Sequence, residues 1–181
     1  MANNVYNELS LVSGNKDACR EFNSSFLNIY SNYEENGLEY LHFLPDWKND
    51  YADKNWFDYN IGADWAYVSF PLAPAFPGKS TNQVNITSGW KPPGMFFTLL
   101  GEHLHYIDPN SELMMTYVDE FYNFAGVLVY NDEGLQNKEM TNVELKDKFD
   151  HSVYVEPRDF PDFVEEITNL WGNELLNETR L

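Results

Sequence analysis

Histidines, one cysteine and several carboxylates are the side chains in this sequence whose types suit catalysis or metal binding. His103 and His105 are two residues apart at the end of a predicted helix, so they point to different faces and make poor joint metal ligands. His42 and His151 are isolated in the sequence. Cys19 falls on the apolar side of the first predicted helix, where cysteine usually packs as a small hydrophobic residue. The sequence therefore predicts no metal site, no cofactor and no cysteine nucleophile.

The carboxylates offer two further candidate sites. Four of them fall in one segment, where they could form an oxygen-rich cation site: Asp46, Asp50, Asp53 and Asp58. That segment lacks the Asp-x-Asp-x-Asp-Gly pattern of a calcium loop, which favours a solvated acidic face. Asp119 and Glu120 could supply a catalytic pair, but neighbours on a strand point to opposite sides. A turn role is the commoner one for such acids, and nothing here amounts to a catalytic signature.

Acidity is the strongest bulk property of the chain. It holds 29 Asp and Glu residues against 11 Lys and Arg residues, a net charge of −18. Neutralising phosphates requires Lys and Arg, so direct binding to nucleic acid or to an anionic membrane is disfavoured. A basic protein partner is favoured instead. The alternative is that the acidic surface only keeps the protein in solution.

An aromatic and acidic segment at residues 45–61 is the best candidate for a partner surface. Aromatic anchors surrounded by acids suit a partner that presents Lys and Arg, although the segment could instead pack on the core. The polar face of the last predicted helix supplies a second acidic group. The predicted partner-binding residues are Asp46, Trp47, Asp50, Asp53, Trp56, Asp58, Glu165, Glu166 and Glu174.

A groove is the alternative candidate site. Trp90 stands before two prolines at a predicted strand–helix junction, where it could line a ligand groove or wedge the helix onto the sheet. A small-ligand or nucleotide site, or a cryptic hydrolase, would use Asp64, Trp65, Trp90 and Tyr117.

The order of apolar patterns predicts the architecture. Alternating residues indicate strands near 5–12, 65–70, 83–88, 112–119 and 124–130, and helical spacing indicates helices after residue 15, after the prolines at 92–93 and after Pro161. This order predicts an α+β ferredoxin-like sandwich, an antiparallel sheet with two helices on one face. We expect a core at 1–134 with an acidic insert at about 38–61. We expect residues 135–181 to form an acidic C-terminal helical extension that packs on this core, with 139–149 as a short helix or an extended arm.

Four short motifs occur in order within residues 1–134. They are NELSLVSG at 7–14, NIGADW at 60–65, SGWKPP at 88–93 and FAG at 124–126. Together they resemble the YubB-like ferredoxin-like family of plasmids, phages and bacterial mobile elements. The resemblance implies that fold and a mobile-element setting, and it implies no established activity. Family members often have Trp-Gly-Thr-Lys-Trp where this chain has IGADW at 61–65, so Asp64 replaces a positive charge.

These observations predict a non-enzymatic interaction protein of a phage or mobile element. It would inhibit a host nucleic-acid-binding defence protein or nuclease, in the manner of an anti-CRISPR or anti-restriction protein, by competing for its basic DNA- or RNA-binding surface. A homodimer built through sheet edges or the last helix is a third alternative. The N-terminus lacks the features of a signal peptide, and no apolar run approaches the roughly 18 residues of a membrane span, so we expect a cytoplasmic location in a bacterial host.

Overall fold

A computed structural model describes residues 3–31, 37–45, 55–70 and 81–149 of the chain. Its strands are β1 (Asn4–Val12), β2 (Ala66–Phe70), β3 (Thr81–Gly89), β4 (Glu112–Asp119), β5 (Phe124–Asn131) and β6 (Gly134–Thr141). Its α-helices are α1 (Lys16–Tyr30), α2 (Asn55–Asn60), α3 (Gly94–Ile107) and α4 (Asn142–Phe149), and a short 3-10 helix covers Leu38–Tyr40. In the described part of the chain, no helix is long and apolar enough to span a bilayer.

All six strands form one antiparallel sheet in the order β2-β3-β1-β4-β5-β6. The predicted α+β class with an antiparallel sheet is therefore confirmed. β1 lies inside the sheet because its alternation buries Val5, Leu9 and Leu11 on one face, as the two-residue period of a strand requires. Tyr6, Glu8 and Ser10 alternate with them and lie on the opposite face, which we call the second face.

Helices α1 and α3 pack on the face that carries Leu9 and Leu11. α1 begins at its Asn15 cap, whose side-chain oxygen accepts a hydrogen bond from the backbone N–H of Asp17 at 2.8 Å. Its apolar stripe and that of α3 meet in edge-on aromatic contacts, with the rings of Phe26 and Phe96 6.1 Å apart. α3 starts directly after Pro93, as the sequence predicts.

The sheet continues beyond the predicted end of the core at residue 134. β6 pairs with β5 from Gly134 to Thr141, and α4 follows it with Leu145 buried. The sequence did not predict this strand, because β6 lies at the end of the strand order and most of its residues are polar, so no apolar alternation reveals it. The start of the predicted insert forms the 3-10 helix at Leu38–Tyr40 and turns that follow it. The final predicted helix lies outside the described residues.

Candidate functional site

Most of the predicted partner-binding residues lie outside the described residues: Asp46, Trp47, Asp50, Asp53, Glu165, Glu166 and Glu174. Trp56 is described, and its prediction as a surface anchor is wrong, because only 6% of it is exposed. The short helix α2 directs Trp56 inward, where it packs edge-on against Phe57, and directs Asp58 outward. Asp58 lies 3.5 Å from the amino group of Lys91, and both side chains are about half exposed, so this pair contributes little stability.

The predicted groove does not form as one site. Trp65 stacks on Tyr67 with ring centres 5.6 Å apart, and it lies over Gly89 on the second face of the sheet. Tyr117 is buried on the opposite face, the one that the helices cover. It pairs with Asn7 of β1, and Asn7 points away from the second face because it is the chain neighbour of Tyr6. The alternation of side chains along β4 therefore separates Tyr117 from Trp65 by the thickness of the sheet.

The remaining groove residues stay at the end of β3 and beside β2. Trp90 is 53% exposed and adopts a left-handed backbone conformation with a φ of 68°. Asp64 is exposed as well. Solvent therefore reaches Trp65, Trp90 and Asp64. Tyr117, by contrast, packs inside the protein and links β4 to β6. Its hydroxyl donates a hydrogen bond to the Glu139 carboxylate on β6 at 2.9 Å, and burial, followed by Glu139, raises the pKa of that hydroxyl.

The carboxylates of Asp119 and Glu120 accept hydrogen bonds from nearby backbone N–H groups. The buried Asp119 carboxylate accepts hydrogen bonds from the backbone N–H groups of Phe121 and Asn123, which fixes the turn after β4. Glu120 accepts from the backbone and side-chain amides of Asn4, both at 2.9 Å. These acids hold a turn and the start of β1, in agreement with the predicted turn role.

A cluster that the sequence did not predict joins Glu21, His42 and His103, which we call the histidine cluster. One oxygen of the Glu21 carboxylate lies 2.9 Å from Nε2 of His42 and 2.9 Å from Nε2 of His103. The three ligand atoms all lie within 4.8 Å of one another. His42, which appears isolated in the sequence, therefore has two titratable neighbours in the fold.

Three separate segments position the cluster. Glu21 lies on α1 and His103 on α3, while His42 follows the 3-10 helix. Phe43 stacks almost parallel on the ring of His103, with centres 5.0 Å apart and an interplanar angle of 12°. It also stacks on the fully buried ring of Phe96. The apolar core thus holds Phe43, and Phe43 in turn fixes the plane of the His103 ring beside Glu21.

The electrostatics of the cluster favour an ionised glutamate. Partial burial by itself raises the pKa of Glu21. His103 and His42 each donate a hydrogen bond to the carboxylate and each place positive charge beside it, and together they outweigh burial, so the pKa of Glu21 is lowered overall. Glu21 is about a quarter exposed and His42 is 61% exposed by side chain, so solvent reaches the cluster. Two imidazoles and a carboxylate that are open to water are a donor set that can bind a metal ion.

Sequence reasoning missed the cluster because its members have no local spacing. Glu21, His42 and His103 are far apart along the chain, and a metal-binding pattern such as two histidines one helical turn apart is absent from it. The comparisons with known proteins add no constraint: no protein-family model, no curated protein and no solved structure matches the chain. The resemblance to the YubB-like family therefore stays a prediction.

Proposed function

We propose that this protein is a non-enzymatic acidic interaction protein that occupies the basic, nucleic-acid-binding surface of a protein partner. The observation that carries the proposal is the charge balance: 11 Lys and Arg residues can neutralise fewer than half of the 29 Asp and Glu residues, whatever their pairing. The uncompensated carboxylates attract a basic surface and compete with phosphates for the same cations.

Exposed carboxylates on several elements support this proposal. Glu102 on α3 is exposed, and Asp132 and Glu133 are consecutive exposed acids in the turn between β5 and β6. Glu139 and Glu144 are exposed on β6 and α4. A partner that presents Lys and Arg would therefore meet negative charge from several directions, which speeds association and makes it dependent on salt.

The resemblance to the YubB-like family supplies the biological setting of the proposal. The partner is a host defence protein or nuclease that binds DNA or RNA, and the encounter takes place in the cytoplasm of the bacterial host. Binding blocks the partner's nucleic-acid site, so the protein needs no catalytic residues of its own. The groups expected to make the contact remain the insert acids, including Asp58, and the acids of the C-terminal segment.

The test is a pull-down from host lysate at low and high salt, with elution by double-stranded DNA and identification by mass spectrometry. We expect a basic nucleic-acid-binding protein that leaves the resin in high salt or excess DNA. Capture of no such protein, or capture that neither salt nor DNA reverses, contradicts the proposal.

Matched charge reversals locate the contact. One variant changes Asp46, Asp50 and Asp53 to Lys, a second changes Glu165, Glu166 and Glu174 to Lys, and the control changes the exposed acids Glu102, Asp132 and Glu133 to Lys. All three variants alter the net charge equally. We expect at least a tenfold loss of partner affinity in the first two and a smaller loss in the control. Equal losses in all three would refute the assignment of the contact to these groups.

We propose that β1-α1-β2-β3-α3-β4 form a ferredoxin-like unit, which β5 and β6 extend at one edge. The spatial order β4-β1-β3-β2, the antiparallel pairing and the two helices on one face support it. An experimental structure tests this assignment, and a different order of these four strands would refute it.

Small-ligand binding near Trp65 and Trp90 is the second candidate function. Trp65 stacks parallel on Tyr67 and lies over Gly89, the residue before the exposed Trp90. This arrangement favours the second candidate, because flat aromatic faces accept planar ligands. A fluorescence screen against nucleotides tests it, with Trp90→Phe and Trp65→Phe as paired variants. Quenching that both variants leave unchanged would exclude this site.

A further inference from the structure

We propose that Glu21, His42 and His103 bind one divalent transition-metal ion, with Zn²⁺ as the best-suited metal. These three residues lie in the helix layer, and metal binding there does not depend on the acidic partner surface. Nε2 of His42 and Nε2 of His103 each lie 2.9 Å from the same carboxylate oxygen of Glu21.

The ligand separations fit a small ion. Ligands of a tetrahedral Zn²⁺ at about 2.0–2.2 Å are about 3.4 Å apart, so the Glu21 oxygen must move by only about half an ångström from each nitrogen. The long, partly exposed Glu21 side chain can make this adjustment, and the exposed His42 ring can follow it. Phe43 holds the ring of His103, so Glu21 and His42 are the ligands that adjust.

The donor set selects the class of metal. Two imidazoles and one carboxylate suit Zn²⁺, Co²⁺, Ni²⁺ and Cu²⁺, whereas Ca²⁺ and Mg²⁺ prefer sites built mainly of oxygens. Three protein ligands leave the fourth position to water, which reaches the cluster through the exposed side of His42. In the described part of the chain no fourth His, Cys, Asp or Glu joins this group.

The bound ion would tie three distant segments together. α1 and α3 already pack on the sheet, and His42 belongs to the segment that leads in sequence to Asp46 and Trp47. The metal therefore anchors that segment to the helix layer. An ion that binds only the folded state raises the unfolding temperature as its concentration rises.

Zinc titration of the chelator-treated full chain tests the site. Isothermal calorimetry and elemental analysis should show one Zn²⁺ per chain, and Ca²⁺ and Mg²⁺ in excess should not compete. At about 100 times the Kd we expect a rise in Tm of about 5–10 °C. The visible spectrum with Co²⁺ should show the strong bands of a tetrahedral site.

The variants separate ligation from general effects. His42→Ala is safe for folding because the side chain is largely exposed, and Glu21→Gln keeps the shape of the carboxylate. Each should weaken Zn²⁺ binding at least tenfold and abolish the Co²⁺ bands. Glu102→Gln, an exposed acid beside His103 on the same helix, and His105→Gln are matched controls that should bind normally.

Three results would overturn the proposal. They are the absence of stoichiometric Zn²⁺ binding, binding that His42→Ala and Glu21→Gln leave unchanged, and binding that Glu102→Gln weakens as much as Glu21→Gln does. The first two results would mean that Glu21, His42 and His103 form a hydrogen-bonded cluster only. The third would mean that charge near α3, and not ligation, attracts the ion.

Discussion

Gly101 sets the distance between α3 and the sheet, and Gly101→Ala should therefore destabilise the protein. A Cβ added at this position would lie 2.4 Å from Cγ of Tyr130 on β5, and 2.9 Å from its Cβ. These atoms are at the root of the side chain, so rotation of the ring cannot relieve the clash. Alanine is favoured over glycine inside a helix by about 1 kcal/mol, whereas overpacking costs about 1–3 kcal/mol or more. The clash wins, and we expect a net loss of roughly 1–2 kcal/mol.

Gly94→Ala is the matched control on the same helix. Its added Cβ would meet only a methyl group of Leu128 at 3.9 Å, an ordinary contact, so we expect stability unchanged or slightly increased. Urea unfolding followed by circular dichroism measures both variants, provided that the m-values agree.

The double variant Gly101→Ala with Tyr130→Ala tests the cause of the loss. Tyr130→Ala removes Cγ and Cδ1, two of the three atoms that the new methyl group meets, but it keeps Cβ at 2.9 Å, so Gly101→Ala should destabilise clearly less in that background. Either of two results would refute this reasoning: Gly101→Ala as stable as the parent chain, or a loss that persists unchanged without the ring.

Three further perturbations follow from the structure. Gly126→Ala should lower the free energy of unfolding by at least about 2 kcal/mol, because its Cβ would lie 2.5 Å from a backbone oxygen of β6. The Cβ would also meet the Tyr117 hydroxyl, but adding Tyr117→Phe should not restore stability in urea unfolding, because the backbone contact remains. The Ser13 hydroxyl donates a hydrogen bond to the Asp108 carboxylate, and this bond lowers the pKa of Asp108 by more than burial raises it. Ser13→Ala removes the bond, so the free energy of unfolding at pH 7 should fall by about 0.5–1.5 kcal/mol. A carboxylate with a lowered folded pKa stabilises above its unfolded pKa and loses that contribution as pH falls through the folded pKa, so the difference from the parent chain should shrink in acid. Gly62→Ala should destabilise the protein more than Gly134→Ala. Both glycines have positive φ, but only at Gly62 would the added Cβ meet a backbone atom, at 2.8 Å. Thermal unfolding measures both variants, and a lower Tm for Gly134→Ala than for Gly62→Ala would contradict this reasoning.

The two candidate sites lie on different sides of the molecule. The histidine cluster lies on the helix layer, whereas Trp65 and Tyr67 lie on the second face of the sheet. A ligand on one side therefore makes no direct contact with the other. Variants of the histidine cluster should leave quenching of Trp65 or Trp90 by a ligand unchanged, and this separates the two sites in experiment.

Local patterns in the sequence determined most of the sheet and both large helices. β1 and α1 were predictable because their apolar residues recur with the periods of a strand and a helix, and α3 because proline marks its start. The net charge of −18 is likewise a property of the sequence, and the proposed function rests on it. These features depend on residues and near neighbours, so no tertiary contact is needed to read them.

The tertiary structure decided what depends on contacts between distant residues. β6 escaped prediction because a polar edge strand is defined by its partner and not by its own alternation. The sequence predicted Trp56 as a surface anchor and Tyr117 as part of a ligand groove, yet packing buries both. Glu21, His42 and His103 meet because two helices and a short loop converge on one face of the sheet. No spacing in the sequence encodes that convergence, since it follows from the order in which the elements pack.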